Sequence, residues 1–488
     1  MTAINDLIYR QTKIIATLGP STSSRESIEG LINAGVDVVR LNFSHGNKES
    51  HIERAKLVRK IAEEKRYHVG IIGDLQGPKI RITRFIDSKI DLENGDKFTI
   101  DDKHPFDKGT KDIVGTTYEN LSEQLNVDDI LLLDDGRIEL KVDKISNSKI
   151  ITKVIQGGLL YDSKGLNRKG GGLSASAISD KDLNDIKVAA EIGVDYLAVS
   201  FAREAKDIEL ARKLLKEAGS DGGIIAKIER SEALENIDEI IESSDAIMIA
   251  RGDLGVEIGD AQLPAVQKNL IKKARAKDKV VITATQMMES MITNSIPTRA
   301  EVFDVANAVI DGTDAVMLSS ETAMGDHPVE AVEAMSRICE GSEGQSPITS
   351  KETNYSTLSN KKIDRAIAMA CMLTADNLNA VAIAAITESG STALWMSRIN
   401  HSVPIFALTT HTGTLRKITL YRGVYPARIK TIDTNHATVN QDAVNVLTAL
   451  NVAKENDLVI ITKGDLSGIE GGTNAIKVVK VGHLAESQ

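Results

Sequence analysis

Eight short apolar runs, separated by stretches of helical spacing, constrain this chain more than any other feature. They are Lys13–Leu18, Val36–Leu41, Val69–Asp74, Tyr196–Phe201, Ile224–Ile228, Ala246–Ala250, Val280–Ala284 and Ala315–Leu318. Each is largely apolar at alternate and intervening positions alike, as strands of a parallel sheet covered by helices must be. A weak repeat supports the pattern. Asn33-Ala34-Gly35-Val36-Asp37, Glu191-Ile192-Gly193-Val194-Asp195 and Ile310-Asp311-Gly312-Thr313-Asp314 stand at or just before strand starts. Each reads as a helix that ends at Gly and turns into the next strand. Eight such units predict an α/β fold built on a TIM (β/α)8 barrel.

The spacing breaks once, between the third and fourth runs. From about Gln76 to Gly172 it gives way to alternation and tight turns, with antiparallel strands expected at Phe98–Ile100, Ile130–Leu133, Ile138–Val142 and Ile150–Ile155. Asp135-Gly136 is a hairpin signal. A small β-barrel domain inserted in a βα loop stands on the face where such barrels carry their sites, so a lid is expected. A polar stretch from Gly341 to Lys361 reads as a linker. Beyond it, runs at Val381–Ile386, Ile405–Leu408, Ala427–Ile429, Leu458–Ile461 and Ile476–Val481 alternate with helical segments. The expected domains are therefore 1–75 with 172–345 (barrel), 76–171 (inserted lid) and 346–488 (C-terminal α/β domain). A length of 488 residues suits three domains.

Charge and cysteine content narrow the function. The net charge of −10 and the lack of a basic cluster or aromatic ladder disfavour nucleic acid. Two cysteines, Cys339 and Cys371, make neither a disulfide framework nor a zinc site. Reduced thiols in the cytoplasm are expected. The stretch Met1 to Arg10 has no apolar core of signal-peptide length, and no run nears the ~18 apolar residues of a membrane span.

The strand ends carry charge that a buried strand should not. Ile224-Ile225-Ala226 runs into Lys227-Ile228-Glu229-Arg230, and Ile249-Ala250 into Arg251-Gly252-Asp253-Leu254-Gly255. Burying unpaired charge costs several kcal/mol. Two carboxylates flanked by Lys and Arg suit a hard divalent metal that holds an anionic substrate. A salt-bridge cluster at a barrel rim is the competing explanation. The full set at the strand ends is Arg40, Asn42, Ser44, Asp74, Arg81, Lys227, Glu229, Arg251, Asp253, Thr285 and Glu321. Arg forks bind phosphate, two carboxylates take Mg²⁺, and a helix opening at Arg251 offers N–H groups to a carboxylate. The run Thr283-Ala284-Thr285-Gln286 adds hydroxyls. There is no Walker loop.

These residues resemble the pyruvate kinase family. IIAKIERSEAL, IMIARGDLGVEI, ITATQMMESM and TRAEVFDVANAVIDGTDAVMLSSETA are similar to its signature segments, as are KIIATLGPSTSSRESIEGLINAGVDVVRLNFSHG and GDLQGPKIR. The wording of GDLQGPKIR and GGGLSA is most like the bacterial type II enzymes. The resemblance spans nearly the whole chain. It implies phosphoryl transfer from phosphoenolpyruvate to ADP, followed by protonation of enolpyruvate to pyruvate. It also implies roles. Glu229 and Asp253 hold Mg²⁺, and a second Mg²⁺ arrives with ADP. Lys227 and Arg40 neutralise the transferring phosphoryl group. Gly252, Asp253 and Thr285 grip the carboxylate, with Thr285 also a candidate for the proton relay. Asn42, His45, Arg81 and Lys164 face the nucleotide, with a structural strand-end role as the alternative for His45. A cytoplasmic homotetramer is the family expectation.

Two departures from the family pattern matter. Many members hold K⁺ with residues matching Asn42, Ser44, Asp74 and the carbonyl at position 75; here Leu75 replaces the usual Thr. Lys79 stands where K⁺-dependent members carry Glu, and its ammonium can replace the ion's charge. K⁺ is therefore expected to be dispensable. In the C-terminal domain, Thr387-Glu388-Ser389-Gly390-Ser391-Thr392 resembles the family's phosphate-binding effector loop. Glu388 and Ser391 replace Lys and Arg, which disfavours fructose 1,6-bisphosphate and favours a sugar monophosphate or AMP. An ordinary capped helix is the plainer reading. Two other functions fit parts of the pattern. A Mg²⁺-dependent barrel enzyme of enolate chemistry needs neither the insertion nor the last domain. A metabolite sensor needs none of Lys227, Glu229 and Asp253, all of which are present.

Overall fold

The structure, a computed structural model, describes residues 10–173, 177–343, 362–399, 403–430, 436–464 and 472–483. Of the stretch read as a linker, Gly341 to Lys361, the first three residues end the helix Pro328–Glu343 instead, and 344–361 lie outside the described residues, as do the first nine residues and the end of the GGGLSA segment.

The first strands are β1 (Lys13–Leu18), β2 (Val38–Asn42) and β3 (Gly70–Asp74). The insertion supplies β4 (Lys89–Leu92), β5 (Lys97–Asp101), β6 (Ile113–Gly115), β7 (Ile130–Leu133), β8 (Ile138–Ser146), β9 (Lys149–Gln156), β10 (Gly158–Tyr161) and β11 (Leu166–Arg168). The chain then returns with β12 (Tyr196–Val199), β13 (Gly223–Ile228), β14 (Ala246–Ala250), β15 (Val280–Ala284) and β16 (Ala315–Leu318). Strands β1–β3 and β12–β16 close a barrel in the order β1-β16-β15-β14-β13-β12-β3-β2, every pair parallel. All eight predicted runs are barrel strands. Two begin later than predicted, β2 at Val38 and β3 at Gly70.

The helices between them start where side chains can cap them. Asn47 accepts from the Ser50 N–H at the start of Lys48–Lys65, Ser179 from Asp182 at Asp180–Ile192, and Thr298 from Glu301 at Arg299–Ile310. The repeated glycines end helices as expected: Gly35, Gly193 and Gly312 have φ of +108°, +66° and +91°.

The aspartate that follows each of these glycines has a role the sequence did not reveal. Asp37 accepts the Ile14 N–H (2.8 Å), Asp195 the Ile71 N–H (2.8 Å) and Asp314 the Val281 N–H (2.9 Å). Asp245 does the same for Ile224 (2.7 Å). The aspartate preceding one strand thus caps the start of its neighbour around the floor of the barrel. Each also pairs with an arginine: Asp37 with Arg10, Asp195 with Arg59, Asp245 with Arg212 and Asp314 with Arg398. The first three arginines belong to the barrel chain. Arg398 comes from the C-terminal domain.

In the insertion, the strands predicted around residues 98, 130, 138 and 150 pair antiparallel, and the Asp135-Gly136 hairpin joins β7 to β8. Strand pairing gives a six-stranded sheet, β11-β7-β8-β9-β5-β6, beside the two-stranded β10-β4, around one core that includes Phe98, Leu140, Leu92 and Leu160. The C-terminal domain has β17 (Ala382–Ile386), β18 (Ile405–Thr409), β19 (Val424–Arg428), β20 (Leu458–Gly464) and β21 (Thr473–Lys480), in the order β19-β18-β17-β20-β21. All pairs are parallel except β20-β21. Barrel-interior residues such as Ile15, Ile72 and Met248 share one apolar cluster with Ile383, Met396 and Leu420 of that domain. No helix among the described residues is long and apolar enough to cross a membrane.

Candidate active site

Parallel barrel strands end on one face, and there the polar side chains meet. Asp74, at the end of β3, is fully buried. Its Oδ2 accepts from Arg40 Nε of β2 (2.6 Å), and Lys227 Nζ of β13 stands 3.3 Å from its Oδ1. Arg40 also donates to Thr17 Oγ1 of β1 (3.1 Å). Lys227 continues the network to Glu229 Oε1 (2.9 Å) and Ser200 Oγ (2.7 Å), and Ser200 donates to the Leu75 carbonyl (2.8 Å). Burial pushes Asp74 upward, but Lys227 and Arg40 outweigh it and hold the carboxyl below its ordinary range. Burial alone would discharge Lys227; Asp74 and Glu229 keep it charged, with its pKa raised.

Glu229 goes the other way. Burial, with Asp253 and Asp74 nearby, raises its pKa despite Lys227. Its Oε2 accepts the N–H of Phe201 (2.7 Å), a residue at φ +56°, which a side chain of that size rarely adopts. Thr285 and Gln286 stand at φ +65° and +54° just past β15. Three such residues around one site mark backbone held in place by its surroundings. Two bonds fix Thr285: its Oγ1 accepts the Gly252 N–H (2.8 Å), and its carbonyl accepts from Arg251 Nη2 (2.7 Å).

The helix Arg251–Ile258 opens at the end of β14, so Gly252 and Asp253 lie in its first turn. Arg251 also lines the cleft, but its guanidinium forks onto Asp304 (2.6 and 2.7 Å), which makes it an anchor of that turn. Asp253 faces Lys79, whose Nζ lies 2.7 Å from its Oδ1. A cleft of about 450 Å³ opens over these groups, lined by Lys79, Gly252, Asp253, Thr285, Ser320 and Glu321 and reached by Asp135 of the insertion's hairpin. Glu321 is held there by the N–H groups of Ser319 and Met288, and burial raises its pKa.

The structure thus joins Arg40, Asp74, Lys227 and Glu229 in one buried network at the strand ends, and sets Asp253, Thr285 and Lys79 on the cleft, with Asp253 near enough to Glu229 to act on its pKa. It places the remaining candidates around these groups. Asn42 ends β2 and accepts the Ser44 N–H (3.1 Å); His45 is exposed, and its carbonyl accepts from His51 Nε2. Arg81 and Lys164 belong to the insertion, where Arg81 donates to the Ser163 carbonyl (2.9 Å) and Lys164 pairs with Asp134 (2.7 Å). Thr283 bonds Thr313 inside the barrel (3.0 Å), away from the cleft. The loop 387–392 lies in the C-terminal domain, where Thr387 Oγ1 accepts the Gly390 N–H (2.9 Å), Ser389 bonds Ser391 and Thr392 bonds Thr473. Sequence reasoning missed Ser200 and Asp135. Ser200 is the first polar residue after an apolar strand and could have been found by that rule; Asp135 was read only as a turn.

Among the described residues no group of three or more His, Cys, Asp or Glu gathers to hold a metal alone. A cation at Glu229 and Asp253 would complete its shell from substrate and water, as Mg²⁺ commonly does.

Comparison with known proteins gives a consistent result. Residues 9–332 match the family model "Pyruvate kinase, barrel domain", and residues 365–479 match "Pyruvate kinase, alpha/beta domain". The chain is 51% identical over 477 residues to a pyruvate kinase of Buchnera aphidicola subsp. Acyrthosiphon pisum, covering 97% of this chain and 99% of that one. It is 49% identical over 476 residues to pyruvate kinase II of Salmonella typhimurium, with coverage of 97% and 99%. The crystal structure of a pyruvate kinase from Cryptosporidium parvum superposes with a TM-score of 0.89 at 34% identity, covering 98% and 97% of the two chains.

Proposed function

This chain belongs to the pyruvate kinase family, and we propose that it transfers the phosphoryl group of phosphoenolpyruvate to ADP at the mouth formed by Lys227, Arg40, Glu229, Asp253 and Thr285. One observation carries the reading: a buried, charged lysine, Lys227, stands between Asp74 and Glu229 at the open ends of the strands. A buried ammonium aimed at such an opening is placed to neutralise charge on a transferring phosphoryl group. Arg40 adds a second cation, fixed by Asp74 and Thr17. The first-turn N–H groups at Gly252 and Asp253, with the Thr285 hydroxyl, are assigned to the substrate carboxylate, which would take the Gly252 N–H over from Thr285 Oγ1. The same hydroxyl is assigned to the proton path to enolpyruvate.

Glu229 and Asp253 are the proposed Mg²⁺ ligands. The fit rests on their chemistry: oxygen donors only, with Asp253 close enough to add to the burial that raises the pKa of Glu229. The ion, when bound, supplies positive charge beside the transferred group. A second Mg²⁺ accompanies ADP. Asn42, His45, Arg81 and Lys164 are assigned to the nucleotide, with residues 76–171 as the lid. We assign no required role to K⁺. Asp74 is already matched by Arg40 and Lys227, the Leu75 carbonyl accepts from Ser200, and Lys79 adds a fixed positive charge at Asp253. Regulation by a phosphorylated metabolite through the C-terminal domain (346–488), with the loop at Thr387, Ser389, Gly390, Ser391 and Thr392 as one candidate site, a homotetrameric assembly and a cytoplasmic location complete the proposal.

The test is pyruvate formation from phosphoenolpyruvate and ADP with Mg²⁺, with and without K⁺, using Lys227→Met as the control. Activity without K⁺ that the variant loses is the expected result. Activity only with K⁺ removes the Lys79 assignment. No activity in either buffer from folded enzyme removes the whole reading.

A further inference from the structure

Ser200 follows β12 directly and is almost wholly buried, so its hydroxyl must find partners inside the protein. It stands between two strand ends. On one side β12 pairs with β3, with Ala198 opposite Asp74; on the other it pairs with β13, with Val199 opposite Ala226. Ser200 Oγ accepts from Lys227 Nζ (2.7 Å) and donates to the Leu75 carbonyl (2.8 Å). A hydroxyl can accept and donate at one atom, and both capacities are used here. The next residue, Phe201, gives its N–H to Glu229 (2.7 Å). Two consecutive residues thus hold both charged groups at the end of β13.

The other partners of Lys227 are carboxylates, Glu229 at 2.9 Å and Asp74 at 3.3 Å. Each draws the ammonium toward itself and offsets its charge. The Ser200 bond is the shortest of the three and the neutral one. It fixes the place of Nζ and leaves the charge for a bound anion. Leu75 also leads into the insertion. Gly77, at φ +67°, gives its N–H to Asp182 (3.2 Å), and a side chain there would run into Ser200 and Phe201. Lys79 then reaches Asp253 (2.7 Å). The segment is clamped at Leu75, Gly77 and Lys79 as it leaves the barrel, and Ser200 is the clamp that also touches Lys227.

We propose that Ser200 is a positioning residue for phosphoryl transfer: its hydroxyl sets Lys227 Nζ in place and locks it to the segment that enters the insertion. The inference rests on the catalytic reading of Lys227, and Ser200 itself touches no reacting atom. A cation that meets charge as it develops works best when held in advance. A misplacement of about 1 Å costs up to about 10²-fold in rate.

The test is a double-mutant cycle on the full chain. Ser200→Ala should lower kcat about tenfold or more, the loss of one charge-assisted bond, with far less change in KM for phosphoenolpyruvate. Ser200→Cys keeps the side chain's shape but bonds weakly, so its kcat should fall between those of the parent and Ser200→Ala. It carries the test if the alanine variant does not fold. Added to Lys227→Met, either change should cost little further, because the group it positions is gone. A kcat that neither variant lowers overturns the proposal. So does a fall of the same size in the Lys227→Met background, which would make Ser200 a tie between strands and nothing more. Full kcat in Lys227→Met alone overturns the catalytic reading, and this proposal with it.

Discussion

Lys79 Nζ and Asp253 Oδ1 stand 2.7 Å apart, joining the segment that leaves β3 to the first turn of the helix after β14. That pair sets a fixed cation beside a proposed Mg²⁺ ligand. Lys79→Glu reverses the charge and should create a K⁺ requirement. In tetramethylammonium buffer the variant is expected to lose at least about tenfold in activity and to recover much of it with K⁺, an effect of the size one charge exerts near a protein surface. Steady-state assays of parent and variant across K⁺ concentration decide the point. Equal K⁺ responses would remove any such role for Lys79.

Lys227 carries the charge nearest the proposed reacting phosphoryl group. Lys227→Met should lower kcat by about 10²–10³, the loss seen when one preorganised group is removed from a transition state. KM for phosphoenolpyruvate should change far less. A variant whose kcat stays within a few fold of the parent would place the reaction elsewhere in the cleft.

Asp74 and Glu229 share Lys227 yet respond oppositely to pH. The folded pKa of Asp74 is below its ordinary 3.8, so its stabilisation is present above 3.8 and is lost as pH falls through the folded value. That of Glu229 is above 4.5, so its ionisation opposes folding increasingly as pH rises through the folded value. Without divalent ions at neutral pH, Asp74→Asn should therefore melt lower than the parent, and the gap should close in acid. Glu229→Gln should melt at or above the parent but lose the rise in Tm that Mg²⁺ gives. A Mg²⁺-dependent rise that persists in Glu229→Gln would mean the metal sits elsewhere.

Cys339 and Cys371 are both buried, and burial pushes each thiol up to about 12. A thiol so far from ionisation does not attack. Ellman's reagent should label neither in the native protein and both after unfolding. Fast native labelling of either would mean that its surroundings open readily.

The barrel was legible because strands buried on both faces leave an apolar record that charged helices do not imitate. Boundary errors had local causes. Val36 and Asp37 belong to a turn set by Gly35, and the fourth run stops at Val199 because the chain turns at Phe201, φ +56°. In the insertion, Lys89–Leu92 went unread because only Leu92 of its four residues is buried, and Ile113–Gly115 because three residues carry no period. The charged site residues were legible as contradictions to burial. Ser200 and Asp135 were not, since a lone serine and a turn aspartate look the same whether or not they face a cleft. Arg251 looked like a phosphate fork until Asp304, far along the chain, was placed beside it.

The barrel floor has a further consequence. Three of its four aspartates find their counter-ion within the barrel chain, and the fourth, Asp314, finds it in Arg398, with Arg275 and Arg422 close by. The C-terminal domain is therefore a missing quadrant of the barrel's own foundation. Excising it would remove Arg398 and leave only Arg275 of the barrel near Asp314, a loss that approaches the about 3–5 kcal/mol of breaking a buried pair. Any movement of that domain against the barrel must carry the Asp314–Arg398 pair with it or break it.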